Sequence, residues 1–312
     1  MQRSNLIIGP GYATRNGANF RYDDGGARVK FMKKFREVSA EEFGRFDSTQ
    51  YDRQIEISIK LWSGYENLAA LFPSTMLTPT IGGRIMPVGS DIPFTFNAQD
   101  GSRIVVANTA ITAFTNLTLS TEKNLWSADL KAIGLLKTGA LPTDANAYFT
   151  SSSGNSYTAP SFTKSNFLAP AVTVSWGSRT GFTSMAMRKG LAIDGKFEIN
   201  WEPGFVDGYG TLDGIIESFE ATAKGSPIGP TEPQYEAQVG MGSTFGALES
   251  SVNTDDLVVT ASGLAITLPQ SFIADFGEGI AYSRKTHRIP ETTWRTTVPF
   301  SAGAPIARAA IG

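Results

Sequence analysis

Apolar and polar residues alternate with a period of two along much of the chain, which is the pattern of half-buried β-strands. The clearest alternating segments are residues 55–61, 94–96, 117–119, 172–176, 197–201 and 264–268. A turn at Asp100-Gly101 between two apolar segments predicts a hairpin over residues 94–106. The alternation predicts a mainly β protein with many short strands.

Helical spacing of apolar residues occurs in only two places. Residues 65–72 place three apolar side chains on one face, and Pro73 ends the segment. Residues 211–219 repeat that spacing with Leu212, Ile215, Ile216 and Phe219. We therefore predict two short helices within an otherwise β chain.

Short strings recur in the same order in the two halves of the chain, which suggests an internal duplication. The paired segments are 10–17 and 170–177, 56–57 and 198–199, 64–68 and 208–212, 105–106 and 258–259, and 110–112 and 265–267. Residues 146–164 are rich in Ser and Gly and are typical of a linker or surface loop. These features predict two tandem β-sandwich or barrel-like domains over 1–145 and 165–312, each with one short helix.

Composition excludes several classes of function. The 312 residues contain no Cys and a single His, so disulfides, thiolate metal sites and His-rich metal sites are excluded. A net charge of −2 is not that of a free-standing nucleic-acid binder. We find no apolar stretch near the ~18 residues of a membrane helix, and the first residues do not have the pattern of a secretory signal. No catalytic motif is present, so we expect no enzymatic activity, metal or cofactor.

One charged cluster could serve as an interaction surface. Its candidate contact residues are Arg28, Lys30, Phe31, Lys33, Lys34, Phe35, Arg36, Glu41 and Glu42. A solvated amphipathic face would have the same composition. The repeat alignment, however, gives the first half an extra ~18 residues here, as expected of a loop with its own role. We predict that residues 28–42 contact other subunits.

The order of elements resembles that of bacteriophage tail tube proteins. The resemblance runs from Ile7-Ile8-Gly9-Pro10 to about Pro230, and includes residues 53–58 leading to Gly64-Tyr65-Glu66-Asn67-Leu68. The family implies β-sandwich or barrel-like domains that form rings of six, with the rings stacked into a hollow tube that carries double-stranded DNA. In such a tube, we expect the contacts of residues 28–42 to lie between successive rings. The internal duplication suggests the variant in which a trimer forms a pseudo-sixfold ring, and a true hexamer is expected if the second half is not a repeat.

The resemblance also implies partners and a location. The partners would be further copies of the chain, a tape-measure protein and a tail-terminator protein, and DNA would pass through the lumen without sequence-specific binding. The location would be the virion tail, assembled in the host cytoplasm, with no membrane anchor.

Two other functions remain open from the residues. A glycan- or surface-binding module of a baseplate or fibre could use the five Trp and nine Tyr as stacking platforms. A β-sandwich hydrolase is disfavoured by the single His and by the absence of a nucleophile motif.

Overall fold

The structure, a computed structural model, is mainly β and has one large antiparallel sheet of 17 strands. It describes residues 5–23, 26–40, 44–77, 80–141, 144–178, 182–203, 211–228, 255–275, 281–283, 286–288, 291–296 and 310–311. Side chains are described in these ranges except at 5–7, 33–40, 44–53, 74, 203, 281–283, 286–288 and 310–311. The predicted mainly β, sandwich-like fold class is confirmed.

The strands and short helices follow one another in this order. The strands of the first half are β1 (Asn5–Ile8), β2 (Gly11–Arg15), β3 (Ala18–Tyr22), β4 (Ala27–Ala40), β5 (Gly44–Gly64), β6 (Phe94–Ala98), β7 (Arg103–Val106), β8 (Asn108–Leu119), β9 (Leu125–Leu135) and β10 (Phe149–Ser152). Those of the second half are β11 (Val172–Trp176), β12 (Met185–Pro203), β13 (Thr211–Ile228), β14 (Asp255–Ala261), β15 (Leu264–Asp275), β16 (Ala281–Ser283), β17 (Thr286–Arg288), β18 (Thr292–Thr296) and β19 (Ala310–Ile311). Three 3₁₀ turns (Tyr65–Asn67, Ala69–Leu71 and Lys164–Phe167) and α1 (Ser74–Leu77) complete the described elements.

The first predicted helix and the predicted hairpin are present. Residues 65–71 form two consecutive 3₁₀ turns rather than an α-helix, and Leu68 and Leu71 are buried in the core. The Tyr65 hydroxyl donates to the Ser120 carbonyl at 2.6 Å, which fastens this segment to the strands beside it. Strands β6 and β7 pair around Gly101, whose φ of 82° suits glycine.

The second predicted helix is wrong, because residues 211–219 form the first half of strand β13. Ile216 and Phe219 are both buried although they are three positions apart. Pairing with β12 passes from Glu198↔Ser218 to Ile199↔Ile216, so Glu217 is the extra residue of a β-bulge. The bulge turns both apolar side chains to one face and so imitates helical spacing.

The two halves of the sheet repeat the same strand pairings at a spacing of about 160 to 166 residues. The pairs β2–β3, β2–β6, β4–β5 and β6–β7 recur as β11–β12, β11–β14, β12–β13 and β14–β15. The pairs β7–β10, β8–β9 and β5–β9 recur as β15–β19, β15–β18 and β13–β18. We call β2–β10 repeat 1 and β11–β19 repeat 2.

The irregularities of the sheet recur with the pairings. In β4–β5, shifts follow Lys34 and Val38, and in β12–β13 they follow Glu198 and Glu202. A shift between Ile111 and Ala113 of β8 likewise matches one between Ile273 and Asp275 of β15. Register and bulges are specific to a fold, so their agreement identifies corresponding residues. The division at residues 146–164 stays a prediction.

This correspondence corrects most of the sequence alignment. The segments 10–17 and 170–177 contain corresponding strands, β2 and β11. Glu56 and Glu198, by contrast, lie on β5 and β12, whereas β5 corresponds to β13. The inference that the first half contains an extra ~18 residues is therefore wrong. The first hairpin (β4–β5) and the second hairpin (β12–β13) extend to corresponding pairs, Ser39↔Arg45 and Pro203↔Thr211.

A buried N–H donor occupies the same place in the two repeats. Arg15 ends β2, is 1% exposed, and donates from Nη2 to the Thr109 carbonyl at 2.9 Å. Trp176 ends β11, is fully buried, and donates from Nε1 to the Ser271 carbonyl at 2.8 Å. Thr109 and Ser271 correspond in register, since they pair with Gly134 and Thr296. The repeats thus retain one hydrogen bond with a different side chain.

Part of the predicted linker belongs to repeat 1, and part packs against its surface. Strand β10 pairs with β7, and the Phe162 ring stacks on Trp62 with centroids 5.1 Å apart. The Arg21 guanidinium donates to the Pro160 carbonyl at 2.9 Å. These contacts lead the chain along the surface of repeat 1 before β11 begins.

Candidate functional site: the contact between the repeats

The predicted contact residues lie on the first hairpin. Arg28 is exposed on β4, and Lys30 is half-buried. The Lys30 ammonium forms an ion pair with Glu56 of β5, with Nζ and Oε2 3.2 Å apart. Such a partly exposed pair contributes at most about 1 kcal/mol. Of the two cations, Lys30 has an ion-pair partner among the described residues, and Arg28 has none there.

Phe31 is engaged within its own chain. Its ring lies 4.5 Å from that of Phe149, centroid to centroid, and packs against the core. Four further candidates lie on β4 but have side chains outside the described residues: Lys33, Lys34, Phe35 and Arg36. Glu41 and Glu42 lie wholly outside the described residues. A contact between subunits through these residues stays a prediction.

Repeat 1 joins repeat 2 by pairing β8 with β12. The pairing runs from Leu119↔Leu191 to Ala113↔Lys196. Leu117, Leu119, Leu191 and Ile193 are all buried along it. This pairing, together with the contact of residues 82–86 with β13 described below, is called the seam.

A bulge at the seam is held by polar groups of both strands. Asn116 has a φ of 52°, and its N–H donates to Asp194 Oδ1 at 2.7 Å. Beside it, the Phe114 ring covers Gly195, where an added Cβ would lie only 2.2 Å from the ring carbon Cζ. Gly195 therefore permits the close approach of the two repeats.

The other edge of the second hairpin is covered by residues 82–86 of repeat 1. Gly82 and Ile85 donate their N–H groups to the Ile216 and Gly214 carbonyls at 2.7 and 2.9 Å. Buried Asp213 accepts from the Met86 N–H at 3.0 Å and from Arg84 Nη1 at 3.1 Å. The second hairpin is thus held by repeat 1 along both edges.

The first hairpin lacks that arrangement among the described residues. On β4, residues 27–30 pair with β1 rather than with a strand corresponding to β8. On β5, residues 44–50 pair only with β4. The segment that would correspond to the one between β5 and β6 is 229–254, which lies outside the described residues. Within the part of the chain that the structure describes, the first hairpin therefore has no two-sided contact like the one that holds the second.

Sequence reasoning identified none of the seam residues. The alternation at 117–119 predicted a strand, but nothing local indicates that its partner lies near residue 192. Asp213 was placed within a predicted helix, and Gly195 was not singled out. A glycine within a strand does suggest a close approach of another segment, and this signal at Gly195 could have been used.

The part of the chain that the structure describes offers no candidate for a metal site or for a membrane-spanning helix. There, no cluster of three or more His, Cys, Asp or Glu side chains is positioned to hold a metal ion. Within the same residues, no helix has the length and apolarity needed to cross a membrane. No protein-family model matches the chain, and no curated protein sequence matches it.

Proposed function

We propose that this protein is a structural, non-catalytic virion subunit whose copies associate into rings, and that the rings stack into the hollow tube of a phage tail. The seam is the observation that carries the proposal. It joins two corresponding domains through different surfaces, β8 and residues 82–86 on one side and a β-hairpin on the other. Such a contact is heterologous, and its repetition closes into a ring when the rotation allows.

A contact of the same kind as the seam could also form between two copies of the chain. Within a chain, repeat 1 holds the second hairpin. Across chains, repeat 2 of one copy would hold the first hairpin of its neighbour in the same way. The strand that corresponds to β8 begins in the C-terminal part of β15, since Ala113 corresponds to Asp275. The counterparts of the other β8 residues at the seam follow Asp275 and lie mostly outside the described residues. Three chains would then supply six domains, as the resemblance to duplicated tail tube proteins implies.

Self-association also explains how exposed sheet edges are tolerated. Unpaired edges promote uncontrolled aggregation unless another strand covers them. Closing the sheet through neighbouring copies removes the edges, as it does in a β-barrel. The balanced charge of −2 suits a conduit, because Lys and Arg contacts to phosphates would retain the DNA.

The distribution of Trp argues against the alternative of a glycan-binding module. Trp126, Trp176 and Trp294 are fully buried. Trp62 is stacked under Phe162, and Trp201 packs against the core. Three of the five are therefore closed to a stacking sugar, and the other two are only partly exposed.

Light scattering and electron microscopy of the purified chain over a range of concentrations test the proposal. We expect rings of three chains and, at higher concentration, tubes. Persistent monomers at every concentration would refute ring formation, and binding of monomers to glycans would support the alternative.

A matched pair of variants tests the edge of the first hairpin. Gln50 corresponds to Ile216, whose N–H donates across the seam to the Gly83 carbonyl at 3.0 Å. Gln50→Pro removes the corresponding edge N–H, and Gln50→Ala keeps it. Rings should weaken in Gln50→Pro and persist in Gln50→Ala. Equal assembly of the two variants would exclude this edge from the ring contact.

A further inference from the structure

We infer that β1 is a displaceable cover on the edge of β4, and that a strand from a second copy of this chain replaces it during assembly. The inference rests on the proposed ring formation and adds a step that regulates it. Its basis is the position of β1, for which the described residues of repeat 2 contain no paired counterpart.

Strand β1 occupies on β4 the place that β8 occupies on β12. Ile8 pairs with Ala27, and Leu119 pairs with Leu191, the residue corresponding to Ala27. Ile8 and Leu119 are both buried, 6% and 0% exposed. Strand β1 therefore imitates the start of the β8 pairing in the free chain.

Among the described residues, the pairing of β1 with β4 is shorter than that of β8 with β12. There, β1 pairs with four residues of β4, Ala27 to Lys30. The pairing of β8 extends further, to Lys196, which corresponds to Met32. A strand that continued as β8 does would use more of the edge of β4 than residues 5–8 do, and each further pair would add backbone hydrogen bonds.

The connection to the rest of the fold lets β1 leave without unfolding repeat 1. Only Gly9 and Pro10 separate β1 from β2. A Cβ at Gly9 would meet no atom within 4 Å, so the space beside this residue is open, while the Pro10 carbonyl accepts from the Gln99 N–H at 3.1 Å and anchors the start of β2. While β1 is in place, it blocks the edge against indiscriminate pairing.

A reversible cross-link tests the inference. Ile7 and Arg28 are register partners, and the chain has no Cys of its own, so Ile7→Cys with Arg28→Cys can form one disulfide that fixes β1 to β4. The same protein after reduction is the matched control. Because only the uncovered fraction can associate, the oxidised form should need at least about tenfold more protein to form rings than the reduced form.

Hydrogen exchange of the unmodified chain provides a second measurement. On assembly, the amides of residues 5–8 should lose protection while those of residues 27–30 keep it. Equal assembly of the oxidised and reduced forms, or continued protection of residues 5–8 in rings, would overturn the inference and leave ring formation intact. If the unmodified chain forms no rings at all, ring formation fails and the inference fails with it.

Discussion

Replacing Arg15 should destabilise repeat 1 more than replacing any exposed cation. The side chain is 1% exposed, and burial lowers its pKa to about 9, so the guanidinium remains charged at neutral pH. Its donors reach the Leu71, Ile92 and Thr109 carbonyls, and it lies 5.4 Å from the centroid of the Phe94 ring. It thereby joins the end of β2 to the 3₁₀ turns, to the loop before β6 and to β8.

The magnitude follows from what Arg15→Ala leaves behind. The Ile92 carbonyl still accepts from the Thr109 N–H at 3.0 Å, whereas the Leu71 carbonyl loses its described donor. An unsatisfied buried polar group costs about 1–3 kcal/mol. Loss of the buried methylenes adds about 0.8 kcal/mol for each. We expect the free energy of unfolding to fall by about 3–5 kcal/mol.

Urea unfolding followed by Trp fluorescence measures this loss. Arg15→Met, which restores the apolar stem without the donors, should recover about 2 kcal/mol. The exposed control Arg188→Ala should change stability by less than about 0.5 kcal/mol. A loss below about 1 kcal/mol in Arg15→Ala would refute the role assigned to this side chain.

Three further predictions concern the seam, alkaline pH and tube length. Gly195→Val should destabilise the seam by about 1–3 kcal/mol in urea unfolding, because the new side chain meets Phe114, and adding Phe114→Ala should restore part of the loss; purely additive effects would contradict this. Burial raises the pKa of Tyr65, so above about pH 10 the folded chain binds more protons than the unfolded chain and stability falls as pH rises. Tyr65→Phe should therefore be less stable at pH 7 but lose less between pH 10 and 11, and parallel pH curves from urea midpoints would contradict this. Replacing Arg28, Lys30, Lys33 and Lys34 with Ser should leave ring formation intact but shorten the tubes seen in electron micrographs. Tubes of normal length would show that these residues form only a solvated face.

The alternation of apolar and polar residues correctly predicted strands that have one buried face. The period of two at 55–61 and 172–176 identified β5 and β11, because each strand has one buried face. The turn at Gly101 was predictable because its φ of 82° suits few residues besides glycine. Pro73 correctly placed the end of the helical segment that begins at Tyr65.

The sequence by itself determined the β class and suggested a duplication, whereas only the tertiary structure decided register and partners. The apolar residues of 211–219 have helical spacing although they form a strand, because a bulge at Glu217 shifts the alternation. That bulge exists only in the pairing with the opposing strand β12. The echo between Glu56 and Glu198 matched letters on strands that do not correspond. The partner of a sheet edge is set by hydrogen bonds between residues far apart in the chain, as Leu119 and Leu191 are at the seam. A local pattern carries no information about such pairs, because every strand edge offers the same backbone donors and acceptors.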